Sequence, residues 1–316
     1  MKKYLISEGG NFYKANLHCH SVISDGAWTP EQIKQRYMEQ GYSVVAYTDH
    51  NKLVLHNDLT DESFLALNGI EYGVNNMEFG ATMKLRKNCD IGMIALRPDV
   101  SVTYDMANEG FKLRYLPEVI NELIDGGRKM GFFVTHNHPT WSREEYTDYI
   151  QYNNMNALEI VNYSCICGGF DEHNSKVYDD MLRRGKRLYC IACDDNHNPP
   201  HREDSFGGFT MIKANELKYK AITDALLNGN FYASEGPLIY SLWYEDGKVF
   251  VETSPVQKIF ITKPGKNVGA VQSEDLVTYA PFNVDDDDAY FYVTVVDEKG
   301  RRAYTNAYFP DEFLKA

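Results

Sequence analysis

The sequence predicts an α/β fold, a parallel sheet either open or closed into a barrel, followed by a small antiparallel β domain. Three observations predict it. From about Phe12 to Ser234 short apolar runs alternate with helical stretches, the pattern of repeated strand–helix units. Histidines and carboxylates fall at the ends of five of these runs, where parallel α/β folds place their functional groups. After Ala233–Pro237 the helical period stops and apolar and polar residues alternate.

In chain order the apolar runs are "YKANL", "YSVVAYT", "FLALNGIE", "IGMIAL", "GFFVTH", "ALEIVN", "LYCIAC" and "GGFTMIKA". The clearest helix is "TPEQIKQRYMEQG", with Thr29 as N-cap, Pro30 at the first position, Gln32 completing a capping box and Gly41 as the stop. "LPEVINELIDGGRKMG", "HNSKVYDDMLRRGK" and "LKYKAITDALLNGN" are further helices. The expected division is residues 1–236 for the α/β unit and 237–316 for the β domain, with "EDGK" and "DEKG" as hairpin turns. "DDDD" at Asp285–Asp288 reads as a solvated loop, since it lacks the spaced ligands of a calcium loop.

The 316 residues are 43% hydrophobic, enough for a real core, and carry a net charge of -13. That charge argues against long duplex nucleic acid as a partner and leaves a small phosphate ester compatible. No apolar run reaches the ~18–20 residues of a membrane span. The start "MKKYLISEGG" lacks the apolar stretch of a secretory signal, so a cytoplasmic location is expected. Cys190 and Cys193 in the strand "LYCIAC" would face opposite ways, which disfavours a zinc clamp and leaves buried free thiols as the reading of the six cysteines.

The strand-end residues have informative spacing. His18 and His20 share a strand face and can grip one ion, with Cys19 pointing away. Asp195 and His197 have the same spacing, and of adjacent Asp49 and His50 the histidine is expected to face the site. His136 and His138 also share a face by this rule, and Glu159 reads as a supporting or strand-end carboxylate. His56, His173 and His201 read as surface groups. Mixed imidazole and carboxylate donors suit Zn, Mn or Fe, and several carboxylates suggest more than one ion.

Taken together, "HCHSVISDG", "YTDHN", "GIEY", "HNHP" and "CDDNH" resemble, in order, the motifs of the PHP (polymerase and histidinol phosphatase) superfamily of metal-dependent phosphoesterases. The resemblance covers roughly residues 12–235. It implies a distorted seven-stranded (β/α) barrel, TIM-like, with two or three divalent metal ions at its carboxyl end, and the C-terminal part resembles the appended β-sandwich of longer members. It implies a first ion on His18, His20, Glu71 and Asp195, a second bridged by Glu71 and bound by His138, and a third on Asp25, His50 and His197. Members usually supply the second ion with another histidine, yet no histidine lies between His56 and His136. In the matching segment "LRKNCDIGMIAL", Cys89 or Asp90 could take its place, or the ligand is missing.

The expected function is hydrolysis of a phosphate ester by metal-activated water: a small phosphomonoester, a nucleotide or an oligonucleotide end. His197 or His136 would protonate the leaving group, and Arg202 and Arg143 are candidate phosphate-binding residues. Tyr47, Tyr72, Trp141 and Tyr163 are candidates for stacking on a substrate ring. Two alternatives are an amidohydrolase-type ester or amide hydrolase, which usually adds a strand-end lysine, and a catalytically impaired barrel serving as a binding or regulatory module.

Overall fold

The computed structural model describes residues 2–75, 87–100, 115–266 and 269–313. Leu85 and Arg86, which begin the segment around Cys89, lie outside the described residues.

The apolar runs are strands: β2 (Asn11–Asn16), β3 (Val44–Tyr47), β4 (Leu65–Asn75), β5 (Asn88–Ala95), β6 (Phe132–Asn137), β7 (Ala157–Asn162), β8 (Tyr189–Cys193) and β9 (Phe209–Ala214). A two-residue β1 (Lys3–Tyr4) precedes them, and β10 (Phe231–Ser234) follows. The C-terminal strands are β11 (Ile239–Glu245), β12 (Lys248–Thr262), β13 (Gly269–Asn283), β14 (Tyr292–Val296) and β15 (Arg302–Thr305). The helices are α1 (Pro30–Glu39), α2 (Pro117–Lys129), α3 (Tyr146–Tyr149), α4 (Tyr163–Cys167), α5 (Ser175–Arg183) and α6 (Tyr219–Leu227).

α1 starts as its sequence dictates. Thr29 Oγ1 accepts from the Gln32 N–H at 3.3 Å, and Gln32 Oε1 accepts from the Thr29 N–H at 2.9 Å. Ile33 and Tyr37 bury its inner face against β3 and β4, and Gly41 ends it at a φ of 76°.

β2 to β8 lie side by side in chain order. β2, β3 and β4 are parallel, as are β6, β7 and β8. β5 departs from the expected parallel sheet, running antiparallel to both β4 and β6. The sequence could not show this. Most of β5 is buried, so its residues form an apolar run that reads the same in either direction.

Among the described residues the strands do not close into a hydrogen-bonded barrel. β2 to β9 curl around one interior cluster that includes Ala15, Val44, Leu67, Ile94, Phe133 and Ile191. The free edge of β2, however, pairs antiparallel with β9, so β8 has no strand to close onto. The two ends also meet just past their strands. There Cys19 and Asn196 form an isolated parallel bridge, and the Asp195 N–H donates to the His18 carbonyl at 2.9 Å.

The strand path then continues through β10, which pairs with both β9 and β15, into the C-terminal strands, while β1 pairs with β11. These strands surround their own core, including Ile6, Leu242, Val251, Ile259 and Val293. The β11–β12 hairpin turns at Asp246 and Gly247, with φ of 48° and 78°, as a two-residue loop with both residues left-handed. The Asp285–Asp288 loop is held by Lys263, which pairs with Asp285 and Asp288.

Candidate metal centre

The chain that leaves β2 carries His18 and His20 on one side and Cys19 on the other, and all three are buried. Asn16 Oδ1 accepts from the Asp194 N–H at 3.0 Å, fastening the β2 exit to the β8 exit. Asp49 faces away from the cavity. Its carboxylate accepts from the N–H and hydroxyl of both Ser21 and Ser24, which folds the loop that presents Asp25. Gly26 is required in that loop, because a Cβ there would lie 2.3 Å from the His20 carbonyl oxygen. His50, the neighbour of Asp49, turns inward as expected, with Nδ1 3.1 Å from Glu71 Oε2.

Glu71 on β4 is fully buried at the centre. Its Oε2 faces His18 Nε2 and His20 Nε2, each at 3.2 Å, while its Oε1 is 3.2 Å from His138 Nε2 and accepts from Asn137 Nδ2 at 2.8 Å. From the β8 exit, Asp195 Oδ1 approaches His18 Nε2 at 3.1 Å and His20 Nε2 at 3.0 Å. Asp25 lies 3.6 Å from His50 Nε2 and 3.5 Å from His197 Nε2. His197 Nδ1 contacts the Asp195 carbonyl at 2.9 Å, which makes Nδ1 the protonated nitrogen and leaves Nε2 facing the cavity. All eight predicted metal ligands, His18, His20, Asp25, His50, Glu71, His138, Asp195 and His197, therefore converge on one site.

Its donor set fits divalent ions. The Nε2 atoms of His18 and His20 lie 2.9 Å from each other and 3.0–3.2 Å from Glu71 Oε2 and Asp195 Oδ1. Four tetrahedral donors about 2.0–2.1 Å from one ion would lie about 3.3 Å apart, and adjacent octahedral donors about 3.0 Å. Glu71 Oε2 and Asp195 Oδ1 are buried without a hydrogen-bond partner, the state of a ligand atom awaiting a cation. Glu71, Asp90, Glu159 and Asp195 are each at most 6% exposed, so this part of the molecule must gather positive charge. In the bare chain the imidazoles carry it. Burial works to lower His50, but the Glu71 carboxylate beside it, with Asp25 and Asp195 adding, lifts it to about 9. Burial likewise opposes the charged form of Asp195, and His18, His197 and His20 outweigh it, holding that carboxyl well below its usual range.

The ligands are braced from behind. Glu159 Oε1 lies 2.5 Å from His18 Nδ1, and its Oε2 accepts from the His138 N–H at 2.9 Å. Cys193 donates to the same Glu159 carboxylate. Glu172, which carried no sequence signal, accepts from the Thr140 and Trp141 N–H groups and fixes the loop after His138. Asp204 accepts from the N–H of His197 and of Asn198 and from Arg202.

Other predicted residues divide. Arg202 lines a cavity of about 430 Å³ together with Asp25, His50, Asp195 and His197. Arg143 does not; it stands over the Phe170 ring at 5.0 Å. Nor does the structure bring His136 to the cavity. Strand alternation turns His136 away and Asn137 inward, and His138 regains the site only because its backbone is left-handed, with a φ of 26°. His136 bonds Glu144 instead, in a separate buried cluster with Cys89. Of the two substitutes weighed for the second ion, Asp90 faces Glu71 and His138, and Cys89 does not. His56, expected at the surface, is 7% exposed, stacks near Tyr47 and has its pKa lowered by burial. Tyr47 and Tyr72 are core residues, whereas Trp141 is exposed and lines the cavity.

No protein-family model matches the chain. Among solved structures it is similar to a two-domain protein from Bacteroides vulgatus containing a predicted PHP-like metal-dependent phosphoesterase, at 15% identity and a TM-score of 0.48 over 96% of this chain and 97% of that one. A structure from Bifidobacterium adolescentis assigned as a metal-dependent phosphoesterase covers 59% of the chain, and 89% of its own, at 14% identity and a TM-score of 0.38. An amidohydrolase from Chromobacterium violaceum covers 60%, and 90% of its own, at 14% identity and a TM-score of 0.41. In sequence, 93 residues are 32% identical to the DNA polymerase/3'-5' exonuclease PolX of Bacillus subtilis. That match spans 29% of this chain and 15% of the polymerase.

Proposed function

We propose that the protein hydrolyses a phosphate ester with the help of two or three divalent ions, Zn, Mn or Fe. The convergence of His18, His20, Glu71 and Asp195 at the floor of an open cavity, with both histidine Nε2 atoms 3.0–3.2 Å from the two carboxylates, carries this reading. When bound, the ions would supply Lewis-acid polarisation of a phosphoryl oxygen and a lowered pKa for water.

The chain does the rest. His18, His20, Glu71 and Asp195 would hold one ion, Asp25, His50 and His197 another, and Glu71 and His138 would serve a third. Glu159 keeps the His18 proton on Nδ1, so that Nε2 offers its lone pair to the cavity. Arg202 already uses Nε and Nη2 on Asp204, which aims the guanidinium and leaves Nη1 for a phosphoryl oxygen. Of the two histidines predicted as proton donors, His197 is the one at the cavity, and its Nε2 is the atom that meets an ion or the leaving oxygen. Arg143, on the Phe170 ring, is not part of this proposal.

Among the described residues lining the cavity there is no lysine, which favours the phosphoesterase over the amidohydrolase type. The cavity suits a small phosphorylated substrate, and the acidic chain disfavours duplex nucleic acid. No helix among the described residues is long and apolar enough to cross a membrane, and we place the protein in the cytoplasm. We assign the chemistry to residues 1–236, built on the seven curled strands β2 to β8 as a barrel-like frame, and treat 237–316 as an appended sandwich-like β domain.

The test is elemental analysis of untagged protein, with phosphate release measured on a panel of phosphate esters. Bound ions and turnover that His18→Ala abolishes are the expected result. Bound ions without turnover on any ester would leave the second alternative, a binding or regulatory module.

A further inference from the structure

Asp90 faces Glu71 and His138, and this corner of the cavity differs chemically from the others. The Asp90 side chain is 7% exposed and lines the cavity. Room is made for it. On β4 the residue opposite is Gly73, where a Cβ would lie 2.9 Å from Asp90 Oδ1. Asp90, Glu71 and His138 bring donor atoms within 4.8 Å of one another. His138 Nδ1 lies 3.1 Å from Ser142 Oγ, and its Nε2 faces Glu71. This corner thus offers two carboxylates and one imidazole. The opposite corner, His20, Asp25, His50 and His197, offers three imidazoles and one carboxylate.

Oxygen donors suit Mn²⁺ and Mg²⁺, whereas imidazole suits Zn²⁺ and Fe²⁺. Zn²⁺ still binds most N/O sites more tightly than Mn²⁺, so the difference between the corners is one of degree. We propose that the Glu71–Asp90–His138 corner is a hard-cation site that exchanges Zn²⁺ for Mn²⁺ far more readily than the imidazole-rich corner, making a mixed-metal centre. The proposal rests on the metal-dependent reading above and adds which ion goes where.

The test needs no turnover. Zn-loaded wild type, Asp90→His and Asp90→Asn, each checked for a native circular dichroism spectrum, are equilibrated with excess Mn²⁺ and desalted. Bound Mn and Zn are counted by elemental analysis, and bound Mn²⁺ is followed by electron paramagnetic resonance. Wild type should retain about one Mn²⁺ per chain beside Zn²⁺. Asp90→His should keep Zn²⁺ in its place, and Asp90→Asn should lose that ion altogether. Identical Mn and Zn contents in all three proteins would overturn this proposal while leaving metal dependence intact. A wild type that binds neither metal would overturn the metal-dependent reading as well.

Discussion

Two left-handed residues make the site. His138 and Asp195 have φ of 26° and 53°, a conformation disfavoured for residues with a side chain, and both are candidate ligands just past a strand. Each is held there by its N–H, His138 on Glu159 and Asp195 on the His18 carbonyl. Glu159 therefore braces two ligands at once. Glu159→Gln should weaken ion affinity by roughly 10–100-fold, read by competition with a chromophoric chelator; an unchanged affinity would mean that His18 is oriented without it. The same backbone explains where alternation misled. His18, His20 and His50 were legible because the chain stays extended through them. His136 was misplaced because extension was carried past a break that no residue type announces. His173 supplies a pH prediction away from the ions. It lies 3.0 Å from Glu235 Oε1, and that hydrogen bond raises its pKa above 6.5. The folded state thus binds this proton more tightly than the unfolded chain. Its contribution is full below pH 6.5 and fades as pH rises through the folded pKa. The Tm gap between wild type and His173→Gln should be widest in mild acid and close in alkali; a gap that is flat with pH would reject the ion pair as its source.

At the scale of elements, what carries its own local signal was readable. α1 announces its start, and Thr29→Ala should cost about 1 kcal/mol, lowering Tm by a few degrees without touching ion content. A mutant with unchanged Tm would show that tertiary packing of Ile33 and Tyr37 alone fixes the helix start. The strand runs were equally plain, since buried strands concentrate apolar residues. Direction and pairing were not, because β5 and β9 gain their orientation from neighbours far away in sequence. β1 and β10 were missed for the same reason. They are two and four residues long, too short to show a period, and only their partners β11, β9 and β15 make them strands.

For the molecule as a whole, these two short strands tie the C-terminal strands to the rest. The change of texture near Pro237 is real in the sequence, yet the hydrogen-bonded path crosses it without a gap. Asn306, far beyond that point, accepts from the Cys190 N–H on β8 and donates to the Gly229 and Phe231 carbonyls. The Ala307 N–H donates to Tyr178 Oη on α5, and Tyr304 is buried in the cluster that also holds Ile160 and Ala192. Removing residues 237–316 would strip β10 of its β15 partner and expose this buried surface. A 1–236 fragment should therefore be aggregated or partly unfolded by size exclusion and circular dichroism, and should hold fewer ions than the full chain. The tie runs in the other direction too. Ile6, 1% exposed, lies in the C-terminal core although it precedes β2, so Ile6→Ala should cost about 2–5 kcal/mol. If the two parts unfold as one cooperative unit, that loss lowers a single melting transition followed both by the aromatic signal of the C-terminal strands and by ion release. Two separate transitions, with ion release unmoved by Ile6→Ala, would show instead that the site stands independently of the strands appended to it.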